Sequence, residues 1–473
     1  MEYEKGGKRT ARRIRGSNMT RRRLTVLCTI VLAGVIPVSS VEASSDGSIT
    51  FWTSDIEPDR VANQQAIIDA FTAETGIEVE LVPVPEDDLP NLIVTNAASG
   101  DLPDVVATPL DFSIGWAEQG ILDPEAAAGT VDMLGADTFN QQALALASID
   151  GTPVAVPSDG WGQLLLYRTD LFEAAGLEAP QTLDDIVAAA EALHGDEFSG
   201  ITMSTDPTGG FTQQTFEYLA LANGCQLITD DEISLDSPEC VDAISKYQQL
   251  VEYSPGTVQD VDTTRATYFA GDAAMIVWSP FILDEMAGLR NDALPTCDEC
   301  ADDPLFLANN TGLVAALSGG EGTEPAQYGS PSYFGIGAGA DVEAAQQFVG
   351  YLLGDGYLDY LGVAPEGRFP MRTGTPEAPD SFIEGWTELS IGVDERVPFA
   401  DIYGPEVVET LVNGAADFRR WGFEDGYGAL VASLYTSLVV PQTLSRVLNE
   451  GMSPEDAAAQ MQADAEQQLS DLG

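Results

Sequence analysis

From residue 48 onward, short apolar runs alternate with longer stretches of helical periodicity. Residues 48–52 (SITFW) read as a strand. Residues 59–75 set Val61, Ile68 and Phe71 on one helical face, and Gly76 stops that helix. Ile77, Val79 and Leu81 then alternate with Glu78 and Glu80, the period of a half-buried strand. A helix over about 90–98 and a third strand at 104–108 (DVVAT) complete strand–helix–strand–helix–strand, the pattern of a parallel sheet with crossover helices.

The alternation resumes after Pro157 with a strand at 163–167 (QLLLY) and a helix capped by Thr182 and running to 193. Ser237-Pro238 opens another helix, serine at N-cap and proline at N1, with Val241, Ile244 and Val251 on its buried face. Ser453-Pro454 repeats that signal for the last helix. Residues 274–278 form a buried strand that ends on Trp278, turns at Ser279-Pro280 and leaves Phe281 just beyond. Residues 294–332 read as loops around one strand at 312–317. Residues 335–341 (GIGAGAD) lack the spacing of a phosphate-binding loop and read as a strand end entering a helix at Asp341.

The first 43 residues follow a different pattern. Arg21-Arg22-Arg23 precede an apolar run over 24–38, long enough for a signal segment and short for a membrane span. Val41-Glu42-Ala43 predicts cleavage before Ser44, and Cys28 lacks the small residues that precede a lipidated cysteine. A leader starting at Met19 would be complete in itself, and either a general or a twin-arginine export route fits. The protein is therefore expected to be exported, to the periplasm or the cell surface.

Charge changes the picture further. Nine of the 20 basic residues lie in that leader, so the 430 residues after it hold 11 bases against 73 acids, a net of −62. Nucleic acid and anionic lipid need basic contacts, so neither is an expected partner. A salty habitat and a lineage bias towards acidic proteins both account for the excess. Export in turn makes Cys225, Cys240, Cys297 and Cys300 read as two disulfides, 225–240 and 297–300. The first would close a loop worth roughly 3 kcal/mol of stability in the chain-entropy model.

Chemistry-bearing motifs are scarce. GxSxG and HExxH are absent, and His194, the single histidine, ends a helix where it suits the dipole. Neither a cofactor nor a metal is expected, and acid runs such as Asp230-Asp231-Glu232 read as solvated. What remains is a set of aromatic residues: Trp52, Phe112, Trp161, Trp278, Phe281, Trp421 and Tyr427. Singly each reads as packing. Together, aromatics at strand ends of α/β lobes point to a ligand, because ligands bind at the carboxyl ends of parallel strands.

Several stretches, in order along the chain, carry a resemblance: ITFWTS, AASGDLPDVVAT, GTPVAVPSDGWGQLLLYRTDLFEAAGLEAPQTLDDI, FAGDAAMIVWSPF and AAQQFVGYLL. The chain resembles the extracellular solute-binding proteins of ABC importers, in the sugar-binding branch related to maltodextrin-binding protein. That resemblance implies an α/β, two-lobed, Venus-flytrap fold with a solute between lobes joined by crossing segments near 158–162, near 317 and near 365–371. The implied lobes are 44–158 with 318–367, and 159–317 with 368–473. It implies aromatic rings stacked on sugar faces, with Asp111, Asp159 and Arg368 bonding hydroxyls. A monomer handing a sugar to an ABC permease is then expected, and no catalysis. Polyols, glycerol phosphodiesters and polyamines are the alternatives within the fold, and a secreted carbohydrate-active enzyme is the alternative outside it.

Overall fold

A computed structural model describes residues 48–86, 88–196, 198–319, 323–415 and 418–472. The expected leader, its cleavage point and Cys28 lie outside the described residues. In chain order the elements that matter here are β1 (Ser48–Thr53), α1 (Pro58–Thr75), β2 (Glu78–Pro83), α2 (Leu89–Ser99), β3 (Val105–Pro109) and α3 (Leu110–Glu118). Then follow β4 (Val156–Gly162), β5 (Leu164–Arg168), α4 (Leu183–Leu193), α5 (Gly210–Ala222), α6 (Pro238–Glu252), β6 (Met275–Trp278) and α7 (Ile282–Met286). The chain closes with β7 (Thr311–Val314), β8 (Gln327–Ile336), α8 (Val342–Leu352), β9 (Phe369–Pro370), β10 (Phe418–Arg419), α9 (Gly428–Ser437) and α10 (Pro454–Leu472).

Local chemistry sets these boundaries. Pro58 sits in the first turn of α1, where no amide partner is needed, and Gly76 ends the helix at φ 78°. Thr182 and Asp185 form a reciprocal capping box on α4, and the Ser237 side chain accepts from the Cys240 amide at the start of α6. Asp341 caps α8 as the sequence indicates. Both expected disulfides are formed, Cys225–Cys240 and Cys297–Cys300.

Two sheets carry the architecture. The larger runs β9-β4-β8-β3-β1-β2, with β10 paired to the start of β8. β1 is parallel to β2 and β3, as the alternating pattern requires. Phe51, Phe334 and Phe348 meet edge to face beneath it, with centroids 6.0 and 5.4 Å apart. The smaller sheet is β6-β5-β7, and both its pairings are antiparallel; the parallel pattern expected to resume after Pro157 survives where residues 199–202 bridge in parallel to the β6 segment. Only Gln163 separates β4 from β5, so the chain passes directly from one sheet to the other. β4, β8 and β9 lie side by side, which brings residues 158–162 and 369–370 into one ladder; Leu317 lies outside it.

Two expectations need correction. Residues 327–332 open β8, a ten-residue strand, and are not loop. Gly329, Pro331 and Gly335 disguise it. Its residues are nearly all buried, and the pairing with β4 shifts register beside Pro331, where a missing amide is tolerated. The buried stripe of α6 is Cys240, Ala243, Ile244, Tyr247 and Leu250; Val241 and Val251 lie at its margins. The disulfide and Tyr247, whose hydroxyl donates to the Ser204 carbonyl at 2.7 Å, rotate that face inward.

Candidate functional site

β1 and β3 both end at one cavity of about 500 Å³, within the range of small-molecule sites. β1 delivers Thr53, Ser54 and Asp55. β3 runs straight into α3, whose first turn carries Asp111. β4 contributes Asp159 and Trp161, β6 contributes Trp278, and Arg368 precedes β9.

Charge is arranged in pairs. Arg368 donates through Nη2 to Asp55, which also receives Gln64 and lies 3.4 Å from Arg60. Burial would raise the Asp55 carboxyl, but the two guanidinium groups outweigh it and hold it below the usual range. Asp159 accepts from Ser158 Oγ at 2.8 Å and from Tyr360 OH at 3.2 Å, and there burial wins and pushes the carboxyl up despite Arg368 nearby. The Arg368 guanidinium sits 4.7 Å from the Tyr360 ring centroid, and its Nη1 has no hydrogen-bond partner among the described residues. Across the cavity Arg265 is 2.8 Å from Glu285 and 2.9 Å from Asp262, and Arg290 is 3.0 Å from Asp292. Burial pushes Glu285 up to about 7.

Asp111, Asp159, Trp161, Trp278, Phe281 and Arg368, all expected from the sequence, lie on this lining. Their environments differ. Trp161 is partly exposed. Trp278 is only 7% exposed, donates from Nε1 to the Val261 carbonyl at 3.3 Å and packs on Phe211. Phe281 lies under Arg60 and against Gly367, where a side chain would collide with its ring.

The other four residues are not on the lining. Trp52 and Phe112 pack in a small separate cluster, Phe112 stacked on Trp116 at 5.4 Å. Trp421 is 1% exposed and donates to the Cys225 carbonyl at 2.9 Å. Tyr427 donates to the Asp231 carbonyl at 3.2 Å. Trp421 and Tyr427 thus spend their polar edges on backbone carbonyls and pack with the core.

Sequence reasoning missed Asp55, Arg60, Arg265, Glu285, Arg290 and Tyr360. A usable signal was scarcity. With 11 bases after residue 43, any single arginine is informative, and four of them line this cavity. Among the described residues no group of three or more His, Cys, Asp and Glu side chains is set to hold a metal ion. No described helix is long and apolar enough to cross a membrane.

A family model described as bacterial extracellular solute-binding protein matches residues 66–387. YcjN of Escherichia coli (strain K12), an ABC transporter periplasmic-binding protein by name, is 25% identical over 452 residues, covering 93% of this chain and 99% of its own. A maltose-bound MalE3 of T. maritima superposes with TM-score 0.67 at 19% identity, over 89% of this chain and 99% of that one. A solute-binding protein of Agrobacterium vitis S4 with bound D-mannitol gives TM-score 0.62 at 18% identity, over 90% and 99%. The architecture is thus two-lobed, with helices and sheets mixed in the manner of these proteins.

Proposed function

The chain belongs to the bacterial extracellular solute-binding protein family, and we propose that its solute is an uncharged carbohydrate, bound between the lobes and passed to the permease of an ABC importer. One observation carries this reading: four of 11 bases converge on a cavity in a strongly acidic chain, and each is already paired with a carboxylate. Paired charges present fixed donors and acceptors and leave none of these four arginines free to neutralise an anion. Hydroxyls satisfy both kinds of group, and a partly exposed Trp161 supplies an apolar face for the C–H side of a sugar ring. A phosphodiester would need arginines without carboxylate partners, and a polyamine would need acids without arginines.

The solutes named for the two solved relatives, maltose and D-mannitol, are of the same polyhydroxy class. A polyol is therefore the second reading, favoured by the same paired charges. We place the lobes at 44–158 with 318–367 and at 159–317 with 368–473. The return between β7 and β8 supports the cut at 317/318; the passage between sheets comes at Gln163, just past the cut at 158/159, which falls within β4, and β9 and β10 pair into the larger sheet. Hinge motion about the β4–β8–β9 ladder would close the cleft on solute. We read the chain as an exported, monomeric receptor.

The test is a melting-temperature screen with mono- and disaccharides, hexitols, glycerol phosphodiesters and polyamines, followed by calorimetry. Saturable binding of a neutral sugar is expected. Binding of only charged compounds, or release of new reducing ends from a glycoside, would overturn the reading.

A further inference from the structure

The segment around β10 is rich in aromatics, and of these Trp421 and Tyr427 pack with the core. What that segment brings towards the cleft is Arg420. Its side chain is fully buried and grips two carboxylates, Asp111 on α3 and, at 3.2 Å, Glu217 on α5. The guanidinium lies 4.6 Å from the Tyr328 ring centroid and 5.1 Å from that of Phe423. Glu217 is further fixed by the Trp421 amide at 2.8 Å and the Tyr435 hydroxyl at 3.3 Å.

Asp111 is the one member of this group on the cavity wall. Its Oδ1 accepts from Arg420, and its Oδ2 takes no hydrogen bond from any described residue. One oxygen is therefore anchored from behind and the other is left to the cleft. Such a pair holds the carboxylate in one rotamer, so a solute hydroxyl meets a fixed acceptor.

We propose that Arg420 is a positioning residue for solute recognition: it never touches solute, and it orients Asp111 from behind the wall. The proposal rests on the solute-binding reading of the cleft and adds a residue to it. Arg420→Met alone strands two buried carboxylates, so the test uses Arg420→Met with Glu217→Gln, which removes the stranded core charge.

Two measurements decide. First, without solute, hydrogen–deuterium exchange in the first turn of α3 should quicken in the double variant and stay unchanged in α1. Second, calorimetry with maltose and D-mannitol should show about tenfold weaker binding in the double variant, the size of one charge-assisted hydrogen bond. Adding Asp111→Asn to that variant should then weaken binding no further than Asp111→Asn alone. Unchanged exchange in α3, or losses from Arg420 and Asp111 that multiply, would overturn the proposal. If neither compound binds the parent chain, the carbohydrate reading is at fault, and the exchange result alone decides the role of Arg420.

Discussion

Arg368 and Arg420 are built from the same parts and do different work. Each guanidinium is ion-paired with an aspartate of the cavity lining, Asp55 for Arg368 and Asp111 for Arg420, and each lies over a tyrosine ring, at 4.7 and 4.6 Å. Each leaves Nη1 without a hydrogen-bond partner among the described residues. Arg368 is itself on the wall of the cavity, although its Nη1 is shielded from solvent in this conformation. Arg420 is behind the wall, where Glu217 and a ring of aromatics enclose it. The lesson is that burial and pairing do not mark a binding residue. Position relative to the wall decides whether an unfilled donor is a recognition element or part of the scaffold.

That contrast sorts the mutations. Groups behind the wall should cost stability, and groups on it should cost affinity. The largest effect is expected for Arg420→Met alone: about 3–5 kcal/mol of unfolding free energy by denaturant titration, because Glu217 stays buried and uncompensated. Recovery on adding Glu217→Gln would confirm that stranded charge is the cause. Trp278→Ala should follow closely, at about 3–5 kcal/mol of stability, since the ring is 7% exposed and packs like a core residue. Trp278 is on the lining yet nearly buried, so if Trp278→Ala instead kept its melting temperature and lost affinity, position on the wall and not burial would decide its role.

A third residue sharpens the comparison by lacking an arginine salt bridge altogether. Glu366 lies in the short turn Pro365–Gly367, 4% exposed, with Oε2 unbonded. Burial first, then the nearby Asp284 carboxylate, push it up to about 8, while Arg60 and Arg290 oppose without prevailing. The folded chain thus keeps a proton that the unfolded chain loses near 4.5. Stability must fall as pH rises from the unfolded value through the folded one. Glu366→Gln should remove that loss, with a gain of roughly 2–4 kcal/mol at pH 9 and almost none at pH 4. Melting curves of both proteins across that range give the answer, and a gain independent of pH would refute it.

On the wall itself, Arg368→Met should weaken solute binding by about 1.5–3 kcal/mol, with a lesser stability loss, because Asp55 keeps Arg60 and Gln64. Calorimetry and denaturation, compared in one variant, test the split. The smallest effect is expected for Trp161→Ala: about 1–2 kcal/mol of affinity, the low end of the scale for ring stacking, with the melting temperature retained.

The same divide explains what the sequence disclosed. Strand and helix starts were legible wherever period and caps agreed, as at α1, α4, α6 and α10, because those signals are local. β8 was not, because Gly329, Pro331 and Gly335 argue against a strand and only burial on both sides makes one. Trp161 and Arg368 could be placed on the cavity from the order of family-like stretches. Asp55 and Arg60 could not, since an acid two residues past a strand and an arginine in a first helical turn are ordinary surface choices. Trp421 misled for a related reason: an aromatic-rich, glycine-containing segment reads alike whether its rings face a cleft or a core.

The flat crossing between the sheets has a last consequence. Gly162 and Gly329 are paired across β4 and β8, and the Phe418 ring lies against both, so closely that a Cβ at Gly329 would run into it. At this point the two strands meet as bare backbone beneath the Phe418 ring, with the Gln327 side chain against Gly162. Methyl groups added there would act as shims. With the lobes divided as proposed, each would shift the resting angle between them, and since Trp161 and Ser330 of the cavity lining flank these two positions, a graded series of alanine and serine substitutions would report how backbone packing there sets the openness of the cleft.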